Sequence, residues 1–193
     1  MPAMESLARS ARTAIVAAGL RHGGANGGRR MDGADASVAA LDRILAKMSD
    51  PIMCQVGLYW RGKVEDGRLP ARSAIDPAEI PALLPYLILW DVERDPLRFR
   101  NRICGTHVVE FSGRNVGRQY LESIDKNGSI GAIYRSVSET GLPHYEERFA
   151  DWPNHEHKYY GRLVLPLTKD GKEVDMLFGA INTLAAPLGQ NPA

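Results

Sequence analysis

The strongest constraint on the fold is a pair of apolar runs near the C-terminus, joined by the turn sequence Lys169-Asp170-Gly171-Lys172. Asp-Gly between such runs is typical of a tight hairpin, so the pattern predicts strands over about 159–167 and 173–183. Pairing across the turn makes one face wholly apolar, with Leu163, Leu165, Leu167, Val174, Met176 and Phe178. The other face is still partly apolar, with Val164, Leu177 and Ile181. A sheet that is apolar on both faces must be covered on both.

Two helices are predicted upstream, and the first is a candidate cover for that sheet. Ser37 is a suitable N-cap, and helical spacing follows it through Val38, Leu41, Ile44, Leu45 and Met48. Pro51 opens a second helix, which ends by Gly67. We expect the first helix, or a partner subunit, to lie against the second face of the hairpin.

A second hairpin is predicted to begin near Leu87 and to turn at Asp95-Pro96. This register sets two acidic side chains opposite two basic ones, Glu93 with Arg98 and Asp91 with Arg100. The other face is apolar and is formed by Ile88, Trp90, Val92, Phe99 and Ile103. Asn101 falls on that apolar face beside Trp90.

The elements between the two hairpins are a helical turn over 107–111, a longer helix over about 129–139 and a strand over about 145–151. The complete order is therefore helices, two strands, short helices, one long helix and three strands. This order resembles that of a PAS domain, in the bacterial branch catalogued as PAS_5. The stretches that carry the resemblance are Tyr59-Trp60, Leu69–Arg72, Asp76-Pro77 with Leu83–Pro85, Phe99-Arg100 with Arg102–Thr106, Gly113-Arg114 with Gly117-Arg118, Arg162–Leu167, and Asp170-Gly171 with Val174–Leu177.

The resemblance implies an α+β fold, with a five-stranded antiparallel sheet and helices on one face. The N-terminal helices would then cover the other face or form a dimer interface. PAS domains usually bind ligands between the inner face of the sheet and the helices after the second strand. On that basis the expected ligand-binding residues are Trp90, Phe99, Asn101, Leu165 and Met176. The sequence departs from the family pattern at Asn101, where an aromatic residue is common, and at Asn115, where Asp is common.

Three other groups of residues have competing interpretations. His155 and His157, with Asp151 nearby, resemble part of a metal site, but a solvated loop explains them better. His107 is a conceivable axial haem ligand, although an exposed first-turn histidine is the simpler interpretation. The stripe Arg98, Arg100 and Arg102 could bind phosphate, but cross-strand ion pairs account for it more simply. The sequence thus supports no metal, haem or flavin.

Composition excludes several classes of protein. The chain has 193 residues with 24 basic and 23 acidic side chains, a net charge of +1 that is unlike a nucleic-acid binder. No apolar run approaches the roughly 20 residues that span a membrane. Cys54 and Cys104 are too few for a disulfide framework and fit a reducing compartment, so we expect a cytoplasmic protein.

The chain divides into three parts. Residues 1–36 hold six glycines and no aromatic residue, which predicts a disordered tail; Met31 is an alternative start. Residues 37–185 are expected to form a single PAS domain with its helical extension, and 186–193 a flexible C-terminus.

Two functions follow from these observations. The first is a stand-alone PAS sensory or regulatory module, expected to be a homodimer, which binds a small molecule or a protein partner and passes a signal to a separate output protein. The second is a small α+β enzyme of the cone-shaped isomerase type, which needs an Asp or His on the apolar face of the sheet. Only Asn101 is polar there in the predicted register, and no phosphate loop or Ser/His/Asp set is present, so a non-enzymatic protein is preferred.

Overall fold

The computed structural model describes residues 33–150, 158–171 and 173–187. The helices are α1 (Gly33–Lys47), α2 (Pro51–Gly62), α3 (Thr106–Ser112) and α4 (Ser129–Thr140). The strands are β1 (Leu87–Glu93), β2 (Arg98–Cys104), β3 (His144–Phe149), β4 (Tyr159–Thr168) and β5 (Val174–Thr183). Short 3-10 turns occur at Arg72–Ala74, Pro77–Glu79, Pro81–Tyr86 and Leu121–Ser123. Within the described ranges, no helix is long and apolar enough to cross a membrane.

The five strands form one antiparallel sheet in the order β2-β1-β5-β4-β3. The C-terminal strand β5 is therefore central, between β1 and β4. Both predicted hairpins are present, and the predicted α+β fold with a five-stranded antiparallel sheet is confirmed. Helices lie on both faces, as expected for a sheet whose central strands are apolar on both sides.

The N-terminal helices cover the face that carries the leucines of β4. Leu41, Leu45 and Trp60 pack there in one buried cluster with Leu163, Leu165, Leu167, Phe178 and Ala180. Helix α4 covers the opposite face, where Tyr134 and Val137 belong to a second cluster with Ile88, Trp90, Phe99, Val164, Val174 and Leu177. The prediction that α1 covers the face of Val164 and Leu177 is therefore wrong, because α4 takes that place.

The pairing of β1 with β5 explains why the helices cover the opposite faces from those predicted. Trp90 lies opposite Leu177, and Leu89 lies opposite Phe178. Directly paired residues point to the same face of a sheet, so Trp90 shares its face with Leu177 and not with Met176. This pairing joins distant segments, and neither hairpin turn determines it.

Helix α1 begins at Gly33, one turn before the expected N-cap Ser37. Ser37 is buried, and its hydroxyl lies 2.9 Å from the carbonyl oxygen of Gly33 and also contacts that of Gly141. Ser37 is therefore an interior residue of α1, and its hydroxyl contacts one carbonyl in the same helix and another just after the end of α4. Residues 1–32 of the predicted tail and 188–193 of the predicted C-terminal segment lie outside the described residues.

Helix α2 is fastened to the sheet at both of its ends. The Asp50 carboxylate caps the helix by accepting from the Met53 amide at 2.8 Å, and its second oxygen accepts from Asn182 Nδ2 at 2.8 Å. Two residues before the end of the helix, the Trp60 indole donates to the Pro166 carbonyl at 2.8 Å. Caps and buried hydrogen bonds of this kind each contribute about 1 kcal/mol. The N-terminal helices are thus part of the folded domain.

The first hairpin has the predicted register, with a bulge that changes its ion pairs. Asp91 lies opposite Arg100 and Glu93 opposite Arg98, but the register shifts between Leu89 and Trp90. The Arg102 side chain consequently pairs with Asp91 at 2.9 Å. Arg98 instead pairs with Glu122 at 3.3 Å and lies over the Tyr120 ring. The bulge also leaves Ile103, expected on the apolar face, 40% exposed.

Candidate ligand cavity

A cavity of about 80 Å³ lies between the inner face of the sheet, helix α3 and helix α4. At roughly 10–15 Å³ for each water, this volume holds about five to eight water molecules or one small organic molecule. Its lining residues are Ile88, Trp90, Asn101, Cys104, Val108, Phe111, Ser112, Arg114, Val116, Leu121, Ile124, Ile130, Tyr134, Arg162 and Ile181. The wall is mostly apolar, with a few polar groups set into it, as is typical of small-molecule sites.

Helix α4 closes one side of the cavity through Tyr134. The Tyr134 ring meets Trp90 and Phe99 edge to face, with ring centroids 5.4 and 5.5 Å apart. Such aromatic pairs add about 0.5–1.5 kcal/mol beyond their buried area. The predicted site residue Phe99 therefore supports Tyr134 from behind and does not itself line the cavity.

The structure brings together part of the predicted site. Trp90 and Asn101 line the cavity, with Phe99 in the same apolar cluster. Leu165 and Met176 belong to the cluster on the opposite face, beneath the N-terminal helices. The prediction that these two residues line the pocket is wrong, because Trp90 pairs with Leu177 and therefore lies on the face opposite to Leu165 and Met176.

Asn101 is 1% exposed, and only part of its amide is hydrogen-bonded. Its Nδ2 donates to the Ile103 carbonyl at 3.1 Å and approaches that of Leu89 at 3.5 Å. Both carbonyls flank the bulge, where the regular ladder is interrupted. Oδ1 has no hydrogen-bond partner among the described residues. The amide nitrogen thus supports the hairpin, while the amide oxygen is unsatisfied within the described part of the chain.

Asn101→Leu is expected to lower the free energy of unfolding by about 1–3 kcal/mol, because the carbonyls at the bulge lose their donor. Urea denaturation of the purified variant would measure the loss. An unchanged or higher stability would show that the side chain has no part in supporting the hairpin.

Arg162 on β4 is a buried charged residue of the site that the sequence analysis did not predict. It is 2% exposed and lines the cavity. Its Nη2 donates to the Tyr160 hydroxyl at 2.8 Å, and its Nη1 lies 3.2 Å from Glu146 Oε1 on the neighbouring strand. Neither Nε nor Nη1 has a hydrogen-bond partner within the described part of the chain, so the contact with Glu146 is an ion pair without a hydrogen bond. A buried cation with a free N–H is uncommon, since burying a charge is costly unless it is paired.

A sequence signal for Arg162 existed in the alternation of β4. Side chains two apart share a face, so Arg162 must lie on the side of Val164. The sequence pattern predicts a second, partly apolar face on that side, and Arg162 is the charged residue within it. A single arginine inside an otherwise apolar strand points to a polar feature within the core.

The electrostatics of this region keep Arg162 charged and favour the neutral forms of Tyr134 and His144. Burial lowers the pKa of Arg162, but Tyr160, Tyr134 and Glu146 together outweigh it and raise the pKa on balance. Burial also raises the pKa of Tyr134, which stays protonated. His144 lies on β3, on the same face as Glu146. Its pKa is lowered chiefly by burial, which favours the neutral imidazole.

The other candidate residues lie away from the cavity or outside the described ranges. His107 is half-buried on the first turn of α3, with its ring centroid 4.5 Å from that of Tyr86. It is not among the lining residues. Asp151, His155 and His157 lie in the undescribed segment 151–157. Among the residues that are described, no group of three His, Cys, Asp or Glu side chains could hold a metal ion.

Comparisons with known proteins address the fold as a whole. The PAS-domain family, PAS_5, matches residues 48–182. No curated protein matches the chain.

Solved structures give weaker similarities. The PAS domain of histidine kinase ThkA is 14% identical, with a TM-score of 0.38, over 50% of this chain and 98% of that one. The N-terminal domain of a diguanylate cyclase with PAS/PAC sensor from Marinobacter aquaeolei is 17% identical, with a TM-score of 0.37, over 50% and 94%. A domain of the putative light and redox sensing histidine kinase from Haloarcula marismortui is 14% identical, with a TM-score of 0.40, over 56% and 97%.

The family match covers most of the chain and takes in every strand of the sheet, from β1 to nearly the end of β5. The chain belongs to the PAS-domain family.

Proposed function

We propose that this protein is a sensory module that binds a small molecule in the cavity beneath α4. The observation that carries the proposal is the set of four buried polar atoms on residues of the cavity wall, Trp90 Nε1, Asn101 Oδ1, Arg162 Nε and Arg162 Nη1. None of the four has a hydrogen-bond partner among the residues described. Each such atom costs about 1–3 kcal/mol when it is left unsatisfied, and a bound molecule would recover that energy.

We also propose that the module passes its signal to an output protein. We further propose a reducing, cytoplasmic location, because the two cysteines of the chain, Cys54 and Cys104, are too few for a disulfide framework. The homodimer prediction has lost its basis, because α4 of the same chain covers the face that a partner was expected to cover.

The isomerase alternative finds little support in the cavity. That reaction class needs a carboxylate or imidazole to move a proton at the substrate. Among the described residues that line the cavity there is no Asp, Glu or His. Binding without chemistry is therefore the better interpretation.

The proposal can be tested by filling the cavity. Val108 lies on α3 and lines the cavity, so Val108→Phe should occupy part of its volume and abolish small-molecule binding. Native mass spectrometry of the freshly purified protein, followed by thermal-shift measurements with a panel of small organic molecules, would show the loss.

Val109→Phe is the matched control, because Val109 is on the same helix and is not a lining residue. It should bind like the original protein. If the original protein carries no bound molecule and no member of the panel shifts its melting temperature, the proposed function is wrong.

A further inference from the structure

The charged side chains that line the cavity are all basic. Two of its residues are arginines, the buried Arg162 and the exposed Arg114. No acidic side chain lines the cavity in the described part of the protein. Glu146 offsets part of the Arg162 charge through Nη1, but it is not a lining residue. The wall itself is therefore cationic.

The free hydrogen-bonding groups also favour an anion. Arg162 Nε and Trp90 Nε1 are both donors, while Asn101 Oδ1 is the single acceptor in the set. Arg162 Nη2 donates to Tyr160, and Nη1 lies 3.2 Å from Glu146 Oε1 in an ion pair without a hydrogen bond. These contacts hold the guanidinium in one orientation, with the Nε–H free. A carboxylate is suited to this donor, because a hydrogen bond between two charged groups is stronger than one between neutral groups.

The remainder of the wall limits what the anion can be attached to. Most lining side chains are aliphatic or aromatic, including Ile88, Ile124, Ile130 and Ile181. The volume of about 80 Å³ leaves room for only a few carbon atoms. A doubly charged acid would have to bury its second charge among these apolar groups, at high cost.

We propose that the cavity binds a small monocarboxylate, whose carboxylate accepts a hydrogen bond from Arg162 Nε and whose short apolar body lies against the isoleucines. This inference rests on the proposed function and names its ligand class. A hydroxyl or amine hydrogen on such a ligand would find an acceptor at Asn101 Oδ1.

The test compares acids with their uncharged counterparts of equal shape. Butanoate and pentanoate would be titrated into the full chain by isothermal calorimetry, alongside butanamide and pentanamide. We expect each carboxylate to bind at least tenfold more tightly than its amide. Arg162→Met should abolish this preference, lowering carboxylate affinity 10- to 100-fold while amide affinity changes little.

Two further variants separate ligand binding from folding. If Arg162→Met fails to fold because Glu146 loses its partner, the double variant Arg162→Met with Glu146→Gln removes both charges and should show the same loss. Arg102→Met removes an exposed arginine outside the cavity and should keep the preference for carboxylates.

The possible results are distinct. Equal binding of acid and amide, or a preference that survives without Arg162, would overturn the monocarboxylate inference while leaving a ligand-binding module in place. If none of the four probes binds, the inference also fails. Only the additional finding that no molecule of any charge occupies the cavity would remove the proposed function as well.

Discussion

Gly179→Ala is expected to lower the free energy of unfolding by about 3 kcal/mol or more, a large part of the roughly 5–15 kcal/mol that is typical of a folded domain. Gly179 lies in the central strand β5, between Ile88 on one side and Val164 on the other. A Cβ atom at this position would lie 1.9 Å from the Leu163 carbonyl oxygen. That oxygen belongs to the backbone of β4, so relief requires the two strands to move apart and break ladder hydrogen bonds.

Gly62→Ala provides the matched control for this substitution. A Cβ atom at Gly62, the last residue of α2, would meet no heavy atom within 4 Å. This variant should be neutral or up to about 1 kcal/mol more stable, since alanine restricts the unfolded chain. Chemical denaturation of both proteins measures the difference. A Gly179→Ala protein as stable as the Gly62→Ala protein would contradict the close approach of β4 and β5.

Leu41→Asp is the second substitution with a large expected effect. The Leu41 side chain is 0% exposed and belongs to the cluster formed by α1, α2 and the leucines of β4. Removing a buried leucine costs about 2–5 kcal/mol, and the carboxyl group adds the cost of losing its hydration. We expect an unfolded or aggregated protein, because the N-terminal helices are part of the core.

Ala46→Asp is the corresponding control, as it introduces the same charge at an exposed position of the same helix. Its cost should stay near 1 kcal/mol, from helix propensity and the nearby helix C-terminus. Circular dichroism melts would compare the two variants. If Leu41→Asp keeps a cooperative transition near the original melting temperature, α1 contributes little to the folded domain.

Much of the fold could be predicted because its signals are local. The Asp170-Gly171 turn indicated the β4–β5 hairpin, and the Asp95-Pro96 turn indicated the register that places Trp90 beside Asn101. Local signals do not determine which faces of the two hairpins lie on the same side of the sheet, because this depends on the pairing of β1 with β5. That pairing joins residues nearly 90 positions apart, such as Trp90 and Leu177. No turn chemistry specifies it, so Leu165 and Met176 were assigned to the wrong side.

The site could be predicted in part for the same reason. Trp90 and Asn101 belong to one hairpin, so local register was enough to bring them together. The position of Arg162 in the cavity depends on two longer-range pairings, that of β4 with β5 and that of β5 with β1. Its partner Glu146 lies on a third strand, β3. The bulge between Leu89 and Trp90 left no clear mark in the sequence, although it determines which carbonyls the Asn101 amide supports.

The alternation of side chains along β4 gives the cavity and the N-terminal helices a common backbone. Arg162 points into the cavity, whereas the next residue, Leu163, packs beneath α1 and α2. Farther along the same strand, the Pro166 carbonyl accepts a hydrogen bond from the Trp60 indole. Successive side chains of a strand point to opposite faces, so this one strand contributes to both layers of the domain. A molecule bound at Arg162 and the two N-terminal helices would therefore contact opposite faces of β4, and a shift of that strand would alter both contacts.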